Sequence, residues 1–231
     1  MKKSIFLLFL CIFSLPAIIH AQTTNSASTD KPEIIRDRLM VDVFHTFWMG
    51  TPKEVNVNKF HPGFNVTGMW DFKSGNKGPF SFGLGVGVSY YTQFSDALLK
   101  WDSKDNKMRY YVIPYDTIFS LNRMNYVNVH IPLEFRYRHK NGFKVSLGVR
   151  LGLVAEISQK YKGLNPNGNG ERVRRKSFEI YNKQKYNFDV YLRMGWKYVS
   201  VYYCYQITPL FTKGDGPQIM PMSLGVTWNI F

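Results

Sequence analysis

The side chains able to do chemistry in this sequence are few, and their spacing is unhelpful to a catalyst. His45, His61, His130 and His139 are scattered over separate segments. None forms the close spacing, such as His-x-x-x-His, that would turn two imidazoles onto one metal. No Gly-x-Ser-x-Gly element or Ser/His/Asp grouping offers an activated nucleophile. The run Gly83-Leu84-Gly85-Val86-Gly87 has the glycines of a phosphate loop, but such a loop must open a helix, and Ser89-Tyr90-Tyr91-Thr92 continues as strand. Asn65-Val66-Thr67 fits a glycosylation acceptor only in pattern, since it too lies within a strand. These observations predict no catalytic residue, no metal ligand and no cofactor. A rim pair, His45 and Thr46, could meet a lipid headgroup, and a lipid-modifying enzyme centred on His45 is the one enzymatic reading. A plain interfacial polar residue accounts for it as well.

The remaining chemistry is charge. Asp42, Asp71, Glu134, Arg136, Arg150, Glu156, Asp189 and Arg193 all fall on the polar side of segments that alternate apolar and polar residues. If those sides face a common interior, the ions must pair or each costs several kcal/mol. The expectation is a structural network of carboxylates and guanidiniums with Glu134, Arg136, Arg150 and Arg193 at its centre. A second group, Arg172, Arg174, Arg175 and Lys176, lies in a long polar stretch expected to be a loop. Outside a cell it would meet lipopolysaccharide phosphates or an acidic partner. No nucleic-acid-binding motif accompanies it.

The segments that carry these residues repeat with period two, the signature of strands. Strands are predicted at about Arg38 to Trp48, Phe64 to Phe72, Phe80 to Tyr91, Val127 to Arg138, Lys144 to Glu156, Phe188 to Trp196, Val199 to Thr208 and from Met220 to the end. The third is the clearest: Phe80, Phe82, Leu84, Val86, Val88 and Tyr90 alternate with Ser81, Gly83, Gly85, Gly87, Ser89 and Tyr91. Large apolar residues outside and glycines inside suit a narrow, curved wall. Long connections, Ser95 to Arg123 and Tyr161 to Lys185, alternate with short ones such as His139-Lys140-Asn141-Gly142. Barrels of the outer membrane show that asymmetry, with short periplasmic turns and longer extracellular loops. The fold class predicted is all-β, an eight-stranded antiparallel transmembrane β-barrel over 38–231. A soluble lipocalin-like barrel is the alternative, and it would turn the apolar face inward.

The first residues agree with export. Lys2 and Lys3 precede an almost wholly apolar Ile5 to Leu15, Pro16 breaks the run, and Ile19-His20-Ala21 ends it on a small residue. That is a secretory leader over 1–21 with cleavage after Ala21, followed by a polar lead-in over 22–37. The formal charge of +14 falls to +12 once Lys2 and Lys3 leave, since no acid leaves with them. Cys204 is then the only cysteine, which excludes an intramolecular disulfide and leaves a small strand residue. Aromatic content of 16% with a mean hydropathy of −0.24 suits strands facing lipid on one side and a polar lumen on the other.

Two strands also resemble a known family. Asn128-Val129-His130-Ile131-Pro132-Leu133-Glu134-Phe135-Arg136-Tyr137-Arg138 is similar to the "IPLEFR" strand of PorT-like outer-membrane β-barrels of Bacteroidota, which are OmpX-like in architecture. Gln206-Ile207-Thr208-Pro209-Leu210-Phe211-Thr212-Lys213-Gly214 with Gly216-Pro217 resembles its "TPLF-KG-GP" segment, and Gly63 to Val66 and Phe80 to Gly87 fit its second and third strands. The resemblance implies an eight-stranded outer-membrane barrel and, for the founding branch, a part in type IX protein secretion. It carries over no catalytic residue. In one respect the chain departs from the usual pattern: the residues in phase with Phe231 (Asn229, Thr227, Gly225) are polar, one step off the apolar set. The expected function is thus a non-enzymatic integral outer-membrane protein, in contact with lipid and lipopolysaccharide, whose extracellular loops bind envelope or secretion-machinery proteins. The alternative is a stand-alone structural or adhesive surface protein.

Overall fold

A computed structural model describes residues 38–57, 59–73, 78–166 and 170–230. The expected leader, its cleavage point at Ala21, the lead-in over 22–37 and Phe231 lie outside the described residues. Among those residues are eleven strands: β1 (Leu39–Met49), β2 (Pro62–Lys73), β3 (Phe80–Phe94), β4 (Ala97–Asp102), β5 (Lys107–Val112), β6 (Phe119–Arg138), β7 (Phe143–Leu164), β8 (Arg172–Ser177), β9 (Tyr186–Trp196), β10 (Val199–Gln206) and β11 (Met220–Asn229).

Eight of them close a ring. β1 pairs with β2, then β3, β6, β7, β9, β10 and β11 follow in turn, and β11 pairs back onto β1, every neighbour antiparallel. Alternation along each strand then divides the residues between two surfaces. Leu151 is 63% exposed, Trp70 56% and Ile131 54%, while Asp42 is 0% and Glu134 1%. The apolar set is therefore outside and the ionic set inside, the order a lipid-facing barrel requires and the reverse of a lipocalin-like one. Among the described residues no helix is long and apolar enough to cross a membrane.

The connections differ at the two ends. β6 turns into β7 through His139–Gly142, where Gly142 takes a φ of +97° and its N–H donates to the His139 carbonyl at 3.0 Å. β9 turns into β10 through Lys197 and Tyr198 alone. At the opposite end β6 and β7 run far past the ring, and the stretch expected as a loop from Ser95 to Arg123 is instead ordered. β4 and β5 form a hairpin within it, and β6 already begins at Phe119. Its apolar residues explain the order: Leu99 and Met108 are buried in one cluster with Leu210, Phe211 and Ile219 over the mouth of the barrel. Gln159 of β7 accepts from the Leu99 N–H at 2.9 Å, and Asn122 of β6 donates to the Ala97 carbonyl at 2.8 Å, tying the hairpin to the wall.

A β-bulge interrupts β7. Val127 faces Glu156 but Asn128 faces Val154, so one residue, Ala155, is extra. Such an insertion exchanges the two faces of the strand beyond it. Below the bulge the even residues Lys144 to Gly152 point inward. Above it Ile157, Gln159 and Tyr161 do so, opposite Tyr126, Met124 and Asn122.

Candidate functional site

Size complementarity between strands builds the ionic interior. Glu134, Arg136 and His130 project inward from β6. Their neighbours on β3 and β7 are Gly83 and Gly148 beside Glu134, Ser81 and Ser146 beside Arg136, and Gly87 and Gly152 beside His130. Each long side chain thus lies across small residues on both sides. At Gly83 a Cβ would stand 2.9 Å from the Arg136 guanidinium carbon, too close for any other residue without displacement.

The charges alternate along a connected chain. Thr227 donates to Asp42 at 2.6 Å and Asn65 does so at 2.5 Å, while Arg193 reaches the same carboxylate at 2.7 Å. Arg193 also pairs with Glu134, whose other oxygen takes Arg136 Nε at 2.5 Å, and the Tyr191 hydroxyl donates to Glu134 at 2.8 Å. Arg136 goes on to Asp71, which Arg138 meets from the tight-turn end at 3.0 Å. Three acids and three bases, contributed by β1, β9, β6 and β2, cancel within the wall. In this chain each carboxylate is met by at least one guanidinium, as buried ions require.

Arg150 lies a storey further out and is held differently. Its guanidinium is 3.9 Å from Asp189, against 2.7 Å for the Arg193–Asp42 pair. Most of its company is aromatic: it sits 4.5 Å from the Tyr191 ring centre and 5.5 Å from that of Tyr202, and donates to the Tyr202 hydroxyl and, at 3.0 Å, to Cys204 Sγ. Cys204, expected as a plain strand residue, is a buried lumen neighbour of an arginine. Arg150 is therefore not at the centre of the network; Asp42 and Asp71 complete that centre with Glu134, Arg136 and Arg193. Asn65, Tyr191, Tyr202 and Thr227 also line this site; they carry no charge to mark them in the sequence, although each falls on the inward phase of its strand.

Glu156 requires a correction. Alternation from Lys144 places it in the lumen, but the bulge at Val154–Ala155 turns it outward, opposite Val127 and 3.8 Å from Lys176. The basic group also requires one. Arg172, Arg174, Arg175 and Lys176 are not in a loop but on β8, which pairs with the outer end of β7. Arg172, Arg174 and Lys176 share one face with Lys160 and Lys162, while Arg175 lies opposite Tyr161 on the other.

At the rim, His45 and His61 stack with ring centres 5.7 Å apart. The His61 N–H donates to His45 Nδ1 at 3.0 Å, its Nδ1 accepts from the Phe94 N–H at 3.1 Å, and its Nε2 faces the Val57 carbonyl at 2.7 Å. Both nitrogens are committed to backbone, and burial holds the His61 imidazole below its ordinary pKa. His130 is in the lumen beside Ser89, and His139 begins the β6–β7 turn. Among the described residues no three His, Cys, Asp or Glu side chains are grouped to hold a metal. An open groove of about 490 Å³ between Val55, Met108, Tyr110 and Pro217 marks the mouth.

Two solved structures of Ail, the attachment invasion locus protein of Yersinia pestis, are similar to this chain. One, in complex with the heparin analogue sucrose octasulfate, is 12% identical with a TM-score of 0.38; the other is 13% identical with a TM-score of 0.40. Each match covers 82% of this chain and 95% of the other. No protein-family model and none of the curated proteins matches the sequence.

Proposed function

We propose that this chain is an integral protein of a Gram-negative outer membrane, a closed and non-catalytic barrel that acts through the ordered structure at its outer mouth. The observation that carries the reading is the inversion of polarity: a belt of exposed Phe, Leu, Val and Trp surrounds an interior of mutually paired ions. In water that surface would aggregate, and in lipid it is the surface a barrel needs. The start of β1 and the end of β11 then lie on the periplasmic side, with the tight turns.

The partner proposed is another envelope protein, within type IX secretion or envelope assembly. The resemblance of the Asn128–Arg138 and Gln206–Pro217 segments to PorT-like barrels supports it. So does the exposure of Tyr111, Tyr115 and Ile118 around the β4–β5 hairpin, on a rigid support where binding surfaces are usually found. The test is in two steps. The protein should remain in the outer membrane through alkaline carbonate extraction and migrate faster unheated than heated; solubility after carbonate would sink the membrane reading. Depletion should then leave cargo bearing type IX sorting domains in the periplasm while other barrels stay at normal levels. Unchanged export would restrict the likeness to fold.

A further inference from the structure

Above the lipid-facing belt, β6, β7 and β8 continue as a three-stranded sheet. Its pairing places cations in rows. Arg123, Lys160 and Lys176 lie side by side across the three strands, Lys162 and Arg174 share the next row, and Arg172 stands beyond, opposite Leu164. All six project from the face that carries Val127, Val129 and Ile131 lower down, because alternate residues keep one side. Like charges directly opposite across a sheet destabilise it. Among the described residues Glu156 meets this face, at 3.8 Å from Lys176. Six cations gathered on one face of three neighbouring strands leave it strongly positive.

The bulge gives that arrangement its direction. Were Ala155 to take a regular place in the ladder, with no bulge, Lys160 and Lys162 would follow the inward phase of Lys144 to Gly152, and Tyr161 would point out. Leaving Ala155 unpaired turns the tyrosine toward the mouth, where it is buried, and the lysines toward the outer surface above the belt. Lys160 is four residues beyond Glu156, about 13 Å along the strand. The cations therefore stand beyond the apolar belt, on the side where flexible lysine and arginine side chains can reach headgroups outside the hydrocarbon.

We propose that the outward face of the β6–β7–β8 sheet binds the phosphorylated headgroups of the glycolipid in the outer leaflet, through Arg123, Lys160, Lys162, Arg172, Arg174 and Lys176. The proposal rests on the outer-membrane reading. Charge complementarity and continuity with the lipid-facing surface select this ligand over a soluble polyanion. Arg175, on the other face, has no part in it.

The experiment uses the folded full chain inserted in phosphatidylcholine vesicles doped with diphosphorylated lipid A or with the same lipid dephosphorylated. Lipid carried into detergent on the protein is then quantified by native mass spectrometry. The wild type should retain the phosphorylated form preferentially. The triple variant Lys160→Gln/Lys162→Gln/Arg174→Gln should lose that preference by roughly fivefold per cation, and Arg175→Gln should match the wild type. Unchanged retention in the triple variant, or an equal loss in Arg175→Gln, would overturn the assignment. So would equal retention of both lipids together with heparin binding through the same cations, which would give the face to a soluble polyanion. Heat-dependent migration and protease protection are read on the same samples. Failure to insert counts against the membrane reading itself, whereas insertion without lipid preference counts against this inference alone.

Discussion

In the lumen Arg193 lies between Asp42 and Glu134, and Arg136 between Glu134 and Asp71, whereas on the projecting sheet Lys160 faces Lys176 and Lys162 faces Arg174. The same kinds of side chain stand on neighbouring strands in both regions. What differs is the partner that register supplies. Inside, an unpaired buried ion is costly, and Arg136 and Arg193 are each matched by two carboxylates. Outside, the side chains are open to solvent, and the sheet tolerates a modest repulsion that a bound anion would relieve. Charge in the lumen is committed to the fold, and charge on the sheet is left for something else.

The largest effect should come from breaking the lumen at its middle. Glu134→Gln keeps the shape but leaves Arg136 and Arg193 around a neutral amide, and removing one partner of a buried pair costs about 3–5 kcal/mol. Urea unfolding of the folded barrel in detergent, followed by tryptophan fluorescence, reads the loss. Arg174→Gln is the matched change on the sheet and should move stability by less than about 0.5 kcal/mol. Equal losses from the two variants would erase the distinction between the regions. Gly83→Val comes next. Its branched side chain would press on Arg136 and Met69, whose nearest atoms are each 2.9 Å from the first added carbon, and overpacking costs about 1–3 kcal/mol. A smaller loss would mean that Arg136 can leave Glu134 without penalty.

How far the sequence carries these conclusions depends on which periodicity survives folding. Strict alternation in β3, and in β6 from Val127 to Arg138, makes the barrel legible, because a period of two allows only one apolar face. The identity of each ion's partner is not legible in the same way. It depends on the shear between strands, and nothing local to Asp42 on β1 names Arg193 on β9. Glu156 fails for a third reason. A bulge is a single extra residue with no mark of its own in Leu153-Val154-Ala155, and it reverses every side chain after it. The β4–β5 hairpin was hidden because Asp102, Lys104, Asp105 and Lys107 make its tip as polar as a loop, while Leu99 and Met108 are too few to signal burial without Leu210 and Phe211 from a distant segment.

A reversal of sign on the sheet should act opposite to one in the lumen. Lys162→Glu replaces a repulsion across β7 and β8 with an attraction to Arg174, a gain of about 0.2–1 kcal/mol for the hairpin. Slower amide exchange in β8 would register it, and the same variant should retain less phosphorylated lipid. A charge change in the lumen lowers stability, whereas this one should raise it and weaken binding. Faster exchange in β8 would show that the lysine is held by the fold after all.

The smallest effect should lie at His61, between the two regions. Its Nδ1 accepts from the Phe94 N–H, so a second proton there would set one N–H against another. Burial holds its pKa below the ordinary histidine value, which means that the folded rim binds the proton less readily than the open chain. The rim is accordingly at full stability above pH ~6.5 and loses it as the pH falls below that value. Acidification should speed amide exchange at Phe94 and at Thr46, whose N–H donates to the His61 carbonyl, while β8 amides stay unchanged. His61→Gln should abolish the pH dependence, because a neutral amide does not gain a proton in this range. Persistence of the dependence in that variant would move the titrating group elsewhere on the rim.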